Sequence, residues 1–210
     1  MTAIKICGIT REEDALAAAR HGANAIGLVF YTRSPRHVTP ARAVELMRAL
    51  PPFVMSVGLF VDASADEVMQ TLATARVDLL QFHGNESPAY CRQFGVPYLK
   101  AARVRPGLDL LQYAHVYHDA KALLLDAWVE GAHGGTGATF DWALIPKNLS
   151  LPVVLSGGLT PENVTMAVQT VRPWAVDVSS GVEIPGSANK GIKSAAKMAA
   201  FVTGVRNAEV

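Results

Sequence analysis

The sequence predicts an α/β chain folded as a single closed, parallel, eight-stranded (β/α)8 barrel of the TIM type, one domain over residues 1–210. Three observations predict it. Short aliphatic, β-branched runs recur eight times, and each is followed by a Gly- or Ser-bearing loop and an amphipathic segment rich in Ala, Leu and Val. Successive run ends lie from 19 residues apart (Phe82 to Ala101) to 32 apart (Leu28 to Phe60), which is room for a strand, a loop, a helix and a return. Short, mainly apolar strands alternating with helices mean a parallel sheet covered by helices. Eight units without a ninth favour closure over an open doubly wound sheet, the main rival architecture.

The elements follow in order. Ile4–Cys7 is the first run; Thr10 with Glu13 has the spacing of a capping box for the helix after it, and His21-Gly22 supplies a left-handed stop. After Ala25–Val29, Thr39-Pro40 places a cap residue before a proline, whose missing N–H costs nothing in a first helical turn. Val54–Val61 is followed by a second capping box, Ser64 with Glu67, and Leu79–Phe82 by Ser87-Pro88. Tyr98–Ala102 and Ala122–Asp126 are the fifth and sixth runs. Beyond them Gly131 to Gly137 has the composition of a mobile lid and lacks the Gly-Lys-Ser/Thr of a phosphate-binding P-loop. Val153–Leu155 leads to Thr160-Pro161, and Ala175–Val178 completes the set.

Composition narrows the function. Half of the residues are hydrophobic and 18% charged, which excludes disorder; 19 basic against 18 acidic residues exclude a polyanion-binding surface, hence a nucleic-acid partner. The longest apolar runs are far too short to cross a bilayer, and the N-terminus lacks the features of a signal peptide. The expected location is the cytoplasm, with Cys7 and Cys91 as free thiols.

In a barrel, chemistry sits where strands end and βα loops begin. Cys7 ends the first run with Gly8 behind it, where a ligand can come close; a thiolate there is a base or nucleophile, and the plainer reading is a small core hydrophobe. Asp126 follows four apolar residues and belongs at the barrel mouth, because an ionised group in the dry core is prohibitively costly. It is either a general acid or a loop salt-bridge residue. Gly157-Gly158 and Ser180-Gly181 follow the seventh and eighth runs, where bare backbone amides hold phosphate in many barrels. Arg36, after the second run, has the planar fork to clamp a carboxylate. Asp62, His83, His133 and Asp177 come from four separate units and show no metal-ligand spacing, so no metal is expected. Lys5 and Lys100 lie within strands; which face each takes is open, and with it a Schiff-base lyase. The same residues also fit a metal-dependent sugar-phosphate epimerase using His83, or a phosphate-binding barrel without catalysis.

Taken together these segments resemble the phosphoribosylanthranilate isomerases of tryptophan biosynthesis. The likeness runs nearly end to end through Lys5-Ile6-Cys7-Gly8-Ile9-Thr10, Gly27-Leu28-Val29-Phe30, Ser34-Pro35-Arg36, Gly58-Leu59-Phe60-Val61-Asp62, Gln81-Phe82-His83-Gly84, Leu125-Asp126, Gly134-Gly135-Thr136-Gly137, Leu155-Ser156-Gly157-Gly158-Leu159 and Asp177-Val178-Ser179-Ser180-Gly181-Val182-Glu183. The resemblance implies Cys7 as general base and Asp126 as general acid. It implies Arg36 against the anthranilate carboxylate, Gly157, Gly158, Ser180 and Gly181 around the phosphate, and Gly8 and His83 in the substrate-binding set. The implied reaction is an Amadori rearrangement of a small phosphorylated substrate, without cofactor or metal, by a monomer or homodimer. One departure lies at residues 184–194, where Ser194 replaces the aspartate common in the family; serine still caps a helix.

Overall fold

A computed structural model describes residues 1–127, 139–186 and 190–209. Eight parallel strands close in sequence order: β1 (Ala3–Cys7), β2 (Ala25–Val29), β3 (Met55–Phe60), β4 (Leu79–Phe82), β5 (Tyr98–Val104), β6 (Ala122–Ala127), β7 (Val153–Leu155) and β8 (Ala175–Val178). The seam between β1 and β8 sets Lys5 beside Asp177. Helices α1 (Glu12–His21), α2 (Pro40–Arg48), α3 (Ala65–Thr74), α4 (Pro88–Arg92), α5 (Leu110–Val116), α6 (Val164–Val171) and α7 (Ala195–Asn207) surround it. Among the described residues the unit after β6 carries a 3-10 turn, Trp142–Leu144, in place of the α-helix that the repeat predicts. The glycine-rich segment from Gly131 to Gly137, with His133, lies outside the described residues.

The predicted caps hold at Thr39, Ser64 with Glu67, and Ser87, and Gly22 ends α1 at φ 99°. Ser194 Oγ accepts from Lys197 N at the start of α7, so the departure from aspartate leaves that cap intact. Two caps fall elsewhere. Thr10 does not cap α1: its hydroxyl donates to Gly191 O, Glu13 pairs with Arg11, and the helix begins two residues later. Thr160 Oγ1 accepts from Glu162 N in a turn that precedes α6.

Strand alternation sorts side chains into two populations. Outward positions such as Ile4, Ile26, Phe60, Leu80, Leu123 and Val176 pack against the helices in the main core. Inward positions form layers: Leu99, Leu124, Val154 and neighbours fill the lower barrel, while Cys7, Val29, Leu59 and Val61 form the layer at the mouth. Lys5, Gln81, His83, Asp126 and Asp177 are buried on the same inward parity. Charged and amide groups interrupting apolar strands are costly unless paired, so their presence concentrates chemistry in the upper barrel. The amino-terminal end carries an apolar cavity of about 350 Å³ bordered by Met55, Val57, Leu99 and Trp174. Trp174 is 70% exposed there and Phe53, just upstream of β3, 99%. No helix among the described residues is long and apolar enough to cross a membrane, and both cysteines are free.

Candidate active site

β1 delivers Lys5 and Cys7 to one face, two residues apart. Lys5 Nζ donates to Asp177 Oδ1 at 2.7 Å, and Asp177 Oδ2 accepts from Ser156 Oγ at 3.2 Å. Burial alone lowers the Lys5 pKa, yet Asp177 and Cys7 together hold it above the usual lysine range, so this group is an ammonium. Burial pushes the Cys7 thiol up; Lys5 and, more weakly, Lys193 pull it back, and Asp177 adds to the rise. Gly27 on β2 makes the pairing sterically possible, since a Cβ there would stand 2.6 Å from Cys7 Sγ and 3.1 Å from Lys5 Nζ.

Opposite, Asp126 accepts from its neighbour Ala127 N at 2.9 Å and from His83 Nε2 at 3.0 Å. His83 Nδ1 in turn lies 2.9 Å from Gln81 Nε2. With the amide turned this way its nitrogen donates, which assigns Nδ1 as the acceptor and the ring proton to Nε2. Gln81 is fully buried, and its Oε1 has no hydrogen-bond partner among the described residues. Such an orphan costs about 1–3 kcal/mol.

The backbone around His83 is clamped from the helix side. Lys100 Nζ donates to Phe82 O, Gly84 O and Glu86 Oε2 at 3.3, 2.7 and 2.9 Å, while Glu86 Oε1 accepts from Gly84 N and Asp62 N. Lys100 is fully buried and faces away from the mouth, so it offers no amine for a Schiff base. Of the residues weighed as metal ligands, Asp62 holds Asn85, His83 holds Asp126 and Asp177 holds Lys5. Among the described residues no three such side chains gather.

Arg36 donates from Nε and Nη2 to the two carboxylate oxygens of Glu183 at 2.7 and 3.0 Å. Guanidinium has a second bidentate edge, Nη1 with the outer Nη2 hydrogen, and that edge is uncommitted in these contacts. Burial works against the Glu183 charge, but Arg36 and Lys193 outweigh it and hold its pKa below the usual range. The space left by Gly8 is filled by Arg36: a Cβ at Gly8 would lie 2.5 Å from Arg36 Cδ. The close approach anticipated at Gly8 is thus made by a side chain of the protein itself.

At the neighbouring rim Gly157 and Gly158 both adopt positive φ, 81° and 62°, and their amides donate to no backbone acceptor among the described residues. A Cβ at Gly157 would stand 2.5 Å from Ala127 N and 3.0 Å from Asp126 Oδ1; one at Gly181 would stand 2.0 Å from Leu159 O. The end of β6 and the loops after β7 and β8 therefore approach this closely only because glycine occupies these positions. Ser180 and Gly181 open a short 3-10 turn. Cys7, Arg36, His83 and Asp126 line one cavity of about 70 Å³, floored by Gln81 and Asp177. Ser156 and Ser179 carry its wall toward the glycine rim.

Sequence reasoning named Cys7, Asp126, Arg36 and His83, and the structure brings all four to one cavity. It missed Gln81, Glu183 and Lys193 as parts of the site and left Lys5 undecided. The signal available was parity: Lys5 with Cys7, and Gln81 with His83, stand two apart in strands that are otherwise apolar.

A closed parallel barrel with a thiol, a carboxyl group and an arginine around one cavity at its carboxyl end defines a (β/α)8-barrel enzyme equipped for acid–base chemistry. The chain matches the family model described as N-(5'-phosphoribosyl)anthranilate (PRA) isomerase over residues 4–204, and it belongs to that family. A relative named N-(5'-phosphoribosyl)anthranilate isomerase, from Nitrosospira multiformis, is 59% identical over 96% of this chain and 95% of its own. A crystal structure of phosphoribosyl anthranilate isomerase in complex with reduced 1-(o-carboxyphenylamino)-1-deoxyribulose 5-phosphate superposes with TM-score 0.85 at 36% identity, covering 99% of this chain and 100% of that one. Monomers generated from the dimeric enzyme of Thermotoga maritima superpose with TM-score 0.85 at 35% identity, with coverage of 99% and 100%.

Proposed function

We propose that this chain catalyses the Amadori rearrangement of N-(5'-phosphoribosyl)anthranilate to 1-(2-carboxyphenylamino)-1-deoxyribulose 5-phosphate, in tryptophan biosynthesis. The observation that carries the reading is the shared cavity of Cys7 and Asp126, with Arg36 at its edge. The furanose must open, and Asp126 gives a proton to the ring oxygen as the C1'–O bond breaks. The resulting protonated imine acidifies the C2' hydrogen, which the Cys7 thiolate removes. The enolamine so formed tautomerises to the ketone. Lys5 favours the thiolate against burial, and no redox change enters the balance.

The free edge of Arg36 receives the anthranilate carboxylate while Glu183 fixes the other. The amides of Gly157, Gly158, Ser180 and Gly181 receive the phosphate, far from the reacting carbons, where binding energy is spent on orientation. Residues 1–210 work as one catalytic domain in the cytoplasm. A second copy of this chain is the partner we assign to the apolar amino-terminal opening with its exposed Trp174, in keeping with the dimeric Thermotoga protein.

The test is fluorescence-monitored consumption of phosphoribosylanthranilate by the purified chain, with and without chelator. Turnover unaffected by chelator is expected; absence of turnover, or dependence on metal, would overturn the reading.

A further inference from the structure

We propose that Gln81 is a positioning residue for the acid step, its amide selecting the protonation state of the His83–Asp126 pair. The inference rests on the reading of Asp126 as general acid. As it stands, the Gln81 amide nitrogen donates to His83 Nδ1, which confines the ring proton to Nε2 and leaves Asp126 a carboxylate accepting from His83 and from Ala127. In that arrangement the pair has no proton to give: moving the Nε2 proton to Asp126 would leave an imidazolate. The other half of the same amide, Oε1, is buried without a partner among the described residues.

Rotation of the carboxamide by half a turn reverses both features. Oε1 then accepts from a protonated Nδ1, and a second proton is shared between Nε2 and Asp126 Oδ2. The pair now holds one proton more than before, and this is the proton that passes from Asp126 to the departing ring oxygen. Once it has left, the ring keeps the Nδ1 proton, Asp126 is a carboxylate, and reprotonation from solvent or from the Cys7 thiol reloads the pair. The amide keeps this orientation while Nδ1 carries hydrogen and turns back only when the ring proton moves, through solvent, from Nδ1 to Nε2. Lys100 holds the carbonyls on both sides of His83, so the ring keeps its place while the amide turns.

Among the described residues, the other titratable or charged groups facing this pair are Cys7 and Tyr31 across the cavity, Arg36 above it, Asp177 with Lys5 at its floor, and Arg103, the register partner of Asp126 on β5. His83 Nδ1 meets the Gln81 side chain, which makes this amide the group that decides whether Nδ1 carries hydrogen.

Three proteins test the proposal: wild type, Gln81→Met, which fills the space without a hydrogen bond, and Gln81→Glu, whose carboxylate accepts from Nδ1–H permanently. In kcat-pH profiles, Gln81→Met is expected to lose about tenfold in kcat, with KM changed by less than about twofold, and to lose activity at lower pH on the alkaline side. Gln81→Glu is expected to extend the alkaline limb to higher pH. Unmoved alkaline limbs in both variants, or an effect on KM alone, would overturn the proposal. Should the variants fail to fold, 15N NMR of wild-type His83 decides. A hydrogen on Nδ1 at the pH of full activity supports the proposal, and the Nε2–H tautomer at every active pH overturns it. Asp126→Asn separates the two levels: if it keeps near-normal kcat the acid assignment itself fails. If it is inactive while the Gln81 profiles stay fixed, only the present inference fails.

Discussion

Lys5 and Asp177 form a buried ion pair of 2.7 Å across the strand seam that closes the barrel, and Cys7 stands two residues beyond Lys5 on the same inward face. The pair fixes a positive charge beside a thiol that burial pushes up, and Lys5 offsets part of that rise. Its orientation matters: Asp177, being negative, works against the thiolate, while Lys5 works for it.

This arrangement predicts the pH behaviour of the thiol. Because burial leaves Cys7 above the ordinary cysteine range, alkylation by iodoacetamide in the folded enzyme should be slower at about pH 8 than for a free thiol, rising toward higher pH. Lys5→Met removes the favourable charge and should slow alkylation further. Faster reaction in that variant, measured by mass spectrometry, would mean that Lys5 shields the sulfur rather than activating it.

The bidentate contact of Arg36 with Glu183 predicts a separation of binding from chemistry. Arg36→Met should raise KM about tenfold or more while lowering kcat less, since the guanidinium–carboxylate contact proposed for the substrate would persist through both ground and transition states. Steady-state kinetics check it; a fall in kcat at unchanged KM is the contrary result.

Acid should weaken the same corner. Glu183 titrates below the usual carboxylate range in the folded chain, so its contribution is present above the ordinary glutamate pKa of about 4.3 and is lost as pH falls through the lower folded value. Thermal melts between about pH 6 and 3 should show wild type losing more stability than Glu183→Gln over that interval. Parallel losses would contradict the assignment.

Lys100 is predicted to be structural. With a fully buried ammonium bound to Glu86 and two carbonyls, Lys100→Met should cost about 3–5 kcal/mol through the unpaired Glu86. Denaturant melts measure that loss, and borohydride added with substrate should trap nothing on this residue in the wild type.

Much of this is legible in the sequence. Strand order and the residues at Cys7 and Asp126 follow from apolar runs and their ends, because the backbone of a parallel barrel leaves few other places for them. The cap at Ser64 is readable because both of its partners are local. Thr10 misleads for the opposite reason: its hydroxyl goes to Gly191, 181 residues away, and no local pattern encodes that contact. Glu183 and Lys193 are illegible as partners of Arg36 on the same ground, and Gly8 suggests ligand approach only because the path of the Arg36 side chain is a tertiary fact. Gln81 is visible only as a polar residue of inward parity, and its unpaired oxygen belongs to the packed barrel.

The proposed function requires a thiol and a carboxyl group to act on one substrate. Its most direct measurement is kcat on phosphoribosylanthranilate for Cys7→Ala and Asp126→Asn, with circular dichroism and product affinity as controls. Each variant should lose roughly 10²–10⁴-fold in kcat while keeping the fold and near-normal product binding. Near-normal kcat in either one would contradict the account.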